Sequence, residues 1–380
     1  MSSRFWTLGL ATALAFAWAG FCPRTARAEE GPAAGLPAWL REVTLDGFLS
    51  TSYSHNFNLP DSRMNQLRVF DFDDASFKLD VFELVVQKPA SKQRESGFRV
   101  DFAVGSSVPR VSASAGLFRD GTGRAGDLDV HQAYASWVAP VGAGLRLDLG
   151  KFITHHGYEV IEGYDGWNDN ATRSFLFGYA IPFTHVGARA SYTFSPHVTA
   201  MVMLVNGWDL AVDNNRSKSV GAQVAMTPVS TVTVYLNGMY GPERADNDSD
   251  PRAMLDLAAI WKATNHVTLG VNVDRGSERN AVTPGRTASW NGIAGYARVA
   301  VSGPFSLILR GEYFADPDGA RTGQSQYLAE TTLTPELRVT PRLLLRADVR
   351  VDHSNRDEFE RRDGLVRTQP TVLLNVIYSF

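Results

Sequence analysis

The stretch Leu343-Leu344-Leu345-Arg346-Ala347-Asp348-Val349-Arg350-Val351-Asp352 decides the fold class. Leu343, Leu345, Ala347, Val349 and Val351 alternate with Arg346, Asp348, Arg350 and Asp352. Neighbours on a strand point to opposite faces, so one face is apolar and the other carries four charges. In a soluble sandwich the charged face would meet external water. In a closed membrane barrel it would line a wet interior. One strand does not separate the two.

Repetition along the chain does. Val372, Leu374, Val376, Tyr378 and Phe380 share a face, with Asn375 and Ser379 opposite. Phe98, Val100, Phe102 and Val104 alternate with Arg99 and Asp101, and Leu145, Leu147 and Leu149 with Arg146 and Asp148. The pattern recurs at Val186 to Thr193, Val267 to Asp274 and Phe305 to Tyr313. Each segment is near the ~10 residues a tilted strand needs to cross a bilayer. The stretches 76–88 and 197–208 alternate poorly and leave the facing of Val85, Met201 and Met203 open.

The connections alternate as well. Short ones fall at 140–144, 195–197, 227–228, 264–265, 302–304 and 340–341, with a longer one at 89–95. Between them lie long polar stretches at 55–75, 106–127, 154–183, 209–217, 241–252, 275–288, 315–327 and 354–366. Outer-membrane barrels have short periplasmic turns and long extracellular loops. The fold class is therefore all-β: a transmembrane antiparallel β-barrel of about sixteen strands, spanning residues 43–380.

The ends of the chain agree. Arg4, the apolar run Leu8–Ala19 and Ala26-Arg27-Ala28 read as a secretory signal peptide over residues 1–28, cleaved before Glu29. A short periplasmic segment, 29–42, would follow. The apolar run is too short for a spanning helix. Cys22 invites a lipoprotein reading, but Phe21 stands where a small residue is required. Cys22 is the sole cysteine, so the mature chain has no disulfide and no thiol chemistry. Losing Arg4, Arg24 and Arg27 takes the formal charge from −3 to −6, which gives no reason to expect nucleic acid.

Only helices and closed barrels satisfy the backbone within lipid. Barrels of sixteen to eighteen strands leave an aqueous channel, whereas eight-stranded ones are filled by side chains. The expected pore-lining residues are Arg99, Asp101, Arg146, Asp148, Arg189, Arg310, Glu312, Glu330, Glu336, Arg338, Arg346, Asp348, Arg350 and Asp352. Rings of charge tune ion selectivity, but here the signs are mixed. The competing reading is that these charges pair across strands and stiffen the wall. The longest loop, 154–183, carries His155, His156, Tyr158, Glu159, Glu162, Asp165, Asp169 and Arg173. Its length and aromatic content suggest a packed segment that folds into the pore and narrows it, against the alternative of an external lid.

Gly150-Lys151-Phe152, Gly157-Tyr158-Glu159, Arg173-Ser174, Ala180-Ile181-Pro182 and His185-Val186-Gly187, in this order, resemble the OmpL-like family of outer-membrane β-barrel porins. The resemblance runs from about Leu45 to Phe380. It implies an outer-membrane channel without established catalytic residues. Val376, Tyr378 and Phe380 resemble the assembly signal common to outer-membrane barrels. The expected function is passive diffusion of small hydrophilic solutes or ions in the outer membrane of a Gram-negative bacterium, after Sec-type export. The expected partners are outer-membrane lipid and lipopolysaccharide, the barrel-assembly machinery and, by analogy with porins, two further copies in a homotrimer. The alternatives are a barrel hydrolase with rim-mounted catalytic groups and a non-conducting structural barrel.

Other motifs carry less. No Gly-x-Ser-x-Gly elbow and no His-Glu-x-x-His occurs, so neither motif supports a hydrolase. Asp246 to Asp250 begins like a calcium loop, but Pro251 and Leu257 replace the required Gly and Glu. His155 and His156 are adjacent; on an extended chain they point apart, so no metal site is expected and no cofactor. Trp39, Trp137, Trp208, Trp261 and Trp290 fall near strand ends, where an interfacial girdle would place some of them.

Overall fold

The computed structural model describes residues 38–112 and 124–380. The expected signal peptide with Cys22, most of the 29–42 segment and residues 113–123 of the second long loop lie outside them. The strands are β1 (Thr44–Asn56), β2 (Ser76–Lys88), β3 (Ser96–Val104), β4 (Leu128–Ala139), β5 (Leu145–Ile153) and β6 (Thr184–Ser195). They continue with β7 (Val198–Val205), β8 (Ser219–Val229), β9 (Val232–Pro242), β10 (Pro251–Lys262), β11 (Val267–Arg279) and β12 (Thr287–Ser302). The last are β13 (Phe305–Asp316), β14 (Gln326–Arg338), β15 (Leu343–Ser354), β16 (Phe359–Arg361), β17 (Gly364–Val366) and β18 (Thr368–Ser379).

Sixteen of these close into one antiparallel barrel, each bonded to its sequence neighbour, with β18 joining β15 to β1. β16 and β17 form a separate hairpin within the last long loop. Short connections gather at one end and long ones at the other. No described helix is long and apolar enough to cross a membrane. Closure leaves no sheet edge, which is what a bilayer demands of a strand-built protein.

Alternation sets the facing. On β15 Val349 and Val351 are exposed outward while Arg350 and Asp352 are fully buried inward. On β13 Leu309 and Tyr313 face out and Arg310 faces in. Trp137 and Trp261, near strand ends at the short-turn end, are half exposed on the outer face, as a girdle residue would be. Trp208 and Trp290 are not girdle residues. Both are buried, stacked edge-to-face at 6.4 Å. The Trp39 side chain lies outside the described part of the structure.

The two weak strands have separate causes. In β2, Ser50 of β1 pairs with Val81 and Thr51 with Leu79, so Asp80 is an extra residue. This bulge reverses the facing. Phe77 and Leu79 point outward before it, and Val81, Glu83 and Val85 are buried after it. In β7 the facing is regular, with Val202 and Leu204 out and Met201, Met203 and Val205 in. Its alternation is invisible because both faces are apolar.

The seam is closed by the last residue. Gly47 N–H donates to the Phe380 carbonyl at 2.9 Å, and Phe380 N–H to the Gly47 carbonyl at 3.0 Å. The Phe380 ring lies over Gly47, where an added Cβ would come within 2.2 Å of ring carbon Cζ. Gly47→Leu must therefore displace the terminal ring. The expected result is a lower yield of folded, heat-modifiable barrel on gels; wild-type yield and melting would contradict this seam.

Candidate functional site

The 154–183 segment is not an external lid. It leaves β5 at the long-loop end, enters the barrel and bonds to strands on opposite sides before returning to β6. Gly157 N–H donates to Asp256 of β10 at 3.1 Å, and Tyr158 N–H to Asn272 of β11 at 2.9 Å. Glu312 of β13 accepts from the backbone of Phe175 and Leu176 at 2.5 and 3.1 Å. Asp348 of β15 accepts from the Thr172 N–H and hydroxyl at 2.7 and 2.8 Å. Glu83 of β2 accepts from Tyr164 N–H at 2.7 Å. These side chains satisfy backbone N–H groups that no strand or helix bond of the segment meets.

Charge pairs tighten the same contact. Arg310 donates to Glu159 of the segment and Glu330 of β14, each at 2.6 Å, and to the Thr172 carbonyl at 2.6 Å. Arg346 reaches Glu162 at 2.6 Å and also donates to the Asn168 carbonyl. Arg350 pairs with Asp352 at 2.6 Å, approaches Glu312 at 3.9 Å, and donates to the Arg173 carbonyl. Arg173 returns to Glu162 at 3.0 Å. Burial alone would raise the Glu162 carboxyl, but Arg173 and Arg346 outweigh it and hold it below its ordinary value. Glu162 therefore keeps its charge at neutral and mildly acidic pH.

The remaining expected residues fall into smaller groups. Arg298 bridges Asp169 at 2.7 Å to Glu336. Arg99 pairs with Asp101 and with Asp165, both at 2.7 Å. Asp148 is shared by Arg146 and Arg189, at 2.9 and 2.8 Å, away from the main cluster. The Arg338 guanidinium lies 5.7 Å from the Trp167 ring centroid.

A uniformly wet, charged lumen does not describe this interior. Its charged residues are largely buried in pairs, and part of the wall is apolar. Met201, Met203, Val205, Met239, Met254, Ala294 and Phe314 point inward over β7, β9, β10, β12 and β13. Phe175, Leu176, Phe177, Ala180 and Ile181 of the segment pack on them, the middle of this stretch forming one wide helical turn. Glycines on the wall make room. The Tyr158 ring covers Gly270 and stacks on Tyr296 at 4.0 Å, and Leu176 sits over Gly292. The segment's tip rests on a second apolar patch, with Trp167 stacked on Phe48 at 6.2 Å.

Several residues had no distinct sequence signal. The first long loop also folds inward. Arg68 pairs with Asp352 at 2.6 Å and with Asp71, and Phe70 packs against Phe177 and Phe183 at 5.9 and 5.6 Å. Beside the segment, Ser50, Ser52, Asp80, His131, Glu162 and Asn375 help line a cavity of ≈ 40 Å³, room for a few waters. His155 and His156 do not point apart. The chain turns after β5, and their rings approach to 4.2 Å between centroids, with His185 joining them. Asp246 to Asp250 stays a loop whose acids meet local donors, such as the Arg216 N–H to Asp248 at 2.7 Å.

Known structures share this architecture. OmpT of Vibrio cholerae superposes with a TM-score of 0.60 at 11% identity, over 89% of this chain and 97% of that one. An anion-selective porin from Comamonas acidovorans gives 0.59 at 12%, over 89% and 99%. OprB of Pseudomonas putida gives 0.59 at 13%, over 90% and 95%. At such identities the likeness speaks for fold. Comparison with curated proteins gives no match. The family described as "Putative beta-barrel porin-2, OmpL-like" matches residues 42–380, the whole of the barrel. That span is sufficient for membership: the chain belongs to the OmpL-like β-barrel porins and is an outer-membrane channel of this kind.

Proposed function

We propose that the chain carries small hydrophilic solutes and ions by passive diffusion, through a passage narrowed by residues 154–183, and that it catalyses no reaction. The observation that carries this reading is the clamp of that segment on the inner wall, where Arg310 meets Glu159, Arg346 meets Glu162 and Arg350 donates to the Arg173 carbonyl. A segment held by buried charge pairs keeps its place, so it sets the width of the passage rather than covering its mouth. The residues expected to line the pore stand mostly on this inner face, and the small cavity beside the segment, lined by both polar and apolar side chains, has room only for water-sized guests.

The mature protein begins at Glu29 after Sec export and lies among outer-membrane lipid and lipopolysaccharide. Val376 and Tyr378 stand on the outer face of the last strand and Phe380 follows it directly, where the assembly machinery would read them. The arrangement in the membrane is a homotrimer, by analogy with the trimer form of V. cholerae OmpT.

Liposome swelling tests the reading. Vesicles holding folded protein should swell in small sugars and amino acids, and progressively less as solute size grows. Swelling no faster than in protein-free vesicles, with barrel insertion verified, would overturn it.

A further inference from the structure

His155, His156 and His185 bring one ring nitrogen each within 4.8 Å of one another. His155 and His156 stand where the 154–183 segment leaves β5, and His185 where β6 resumes. His156 and His185 are almost wholly buried and His155 partly so. Both nitrogens of His155, Nε2 of His156 and Nε2 of His185 have no hydrogen-bond partner. The carbonyl sides of Ala222 and Gly238 approach the first two rings without reaching hydrogen-bond geometry. The opposite nitrogens are engaged. His156 Nδ1 lies 3.2 Å from the Thr154 hydroxyl, and His185 Nδ1 3.4 Å from the Gly207 carbonyl.

Leaving buried imidazole nitrogens unmet costs free energy, and proteins rarely gather three such rings without use. An oxygen on one ring nitrogen with the other free is how metal-binding histidines are oriented. Burial also holds His155 and His156 neutral, the state that ligates. Three neutral rings tilted against one another as plain packing is the competing account, and it leaves the unmet nitrogens unexplained.

We propose that His155, His156 and His185 bind one late first-row transition-metal ion, which ties together the two ends of the segment crossing the barrel. Imidazole suits Zn²⁺, Ni²⁺ and Cu²⁺, whereas Mg²⁺ and Ca²⁺ want oxygen ligands that this cluster lacks. Bond lengths of about 2.0–2.1 Å place ligand nitrogens roughly 3.4 Å apart in a tetrahedron, so small side-chain rotations close the site. Arg189, the nearest cation, is turned away to Asp148 at 2.8 Å and covers the Phe152 ring at 4.5 Å. A water completes the shell. The site stands independently of what the channel passes.

The test is calorimetric titration of tag-free, chelator-stripped mature protein in detergent with Zn²⁺ and Ni²⁺, and with Mg²⁺ as control. The expected result is one Zn²⁺ or Ni²⁺ per chain and no Mg²⁺, with a melting temperature several degrees higher in metal. His156→Gln and His185→Gln should each weaken binding at least tenfold and abolish the thermal shift, with heat-modifiable mobility confirming a folded barrel. His155→Gln, at the least buried ring, carries the test if either fails to fold. Absence of binding in the wild type, or wild-type titration by the folded variants, would overturn the site.

Discussion

Excision of residues 160–175 should raise single-channel conductance several-fold and shift selectivity toward anions. The excised piece carries Glu162, Asp165 and Asp169 against Arg173, so it removes net negative charge. It also frees Arg346, Arg350, Arg99 and Arg298 from their partners in the segment. Arg99, Arg298 and Arg350 keep their wall partners Asp101, Glu336 and Asp352, so the shift comes from the negative charge lost with the segment, and charge lining a pore sets which ion it favours. No barrel strand is touched, so the closed sheet persists and folding can be verified by heat-modifiable mobility. Conductance at the wild-type value would mean that the segment does not bound the passage.

Arg310→Leu should destabilise the barrel by about 3–5 kcal/mol, the usual cost of removing one partner of a buried ion pair. Arg310 has no exposed surface, and its loss leaves Glu159, Glu330 and the Thr172 carbonyl without their shared donor. An exposed pair would be worth only about 0–1 kcal/mol, so the size of the effect reports burial. Urea-driven unfolding from lipid vesicles measures it. Adding Glu159→Gln should recover part of the loss, because one stranded charge is then removed. A single-variant effect below about 1 kcal/mol would contradict a sequestered clamp.

The sequence reveals a membrane barrel because its outer face obeys one rule everywhere: apolar at every second residue against lipid. Leu343 to Asp352 shows it plainly. The inner face obeys no such rule once it is packed against protein instead of water. Met201 and Met203 point inward and are apolar because Phe175 to Ile181 cover that side of the lumen. Gly270 and Gly292 sit at inward positions where β11 and β12 would otherwise carry side chains, because Tyr158 and Leu176 occupy the space. A glycine on an otherwise regular inward face is thus the readable trace of a segment packed there.

Other features depend on contacts far apart in sequence. Arg68 and Asp352 are nearly three hundred residues apart, and nothing local to 57–75 distinguishes an inward loop from an outward one. The Asp80 bulge is visible only through its pairing with β1. The histidines are misjudged from sequence because alternation holds only on extended chain, and after Ile153 the chain is no longer a strand.

The position of the 154–183 segment against the inner wall is what the channel account rests on, and the absence of cysteine from residues 43–380 makes it directly measurable. Asn170 donates to the Thr334 hydroxyl of β14 at 2.7 Å. The double variant Asn170→Cys/Thr334→Cys, assembled in membranes, should form an intramolecular crosslink with a short thiol reagent, as should the outward wall pair Leu333→Cys/Val349→Cys, whose residues are opposite each other on β14 and β15. A crosslink in the wall pair alone would place the segment away from the wall and contradict the account.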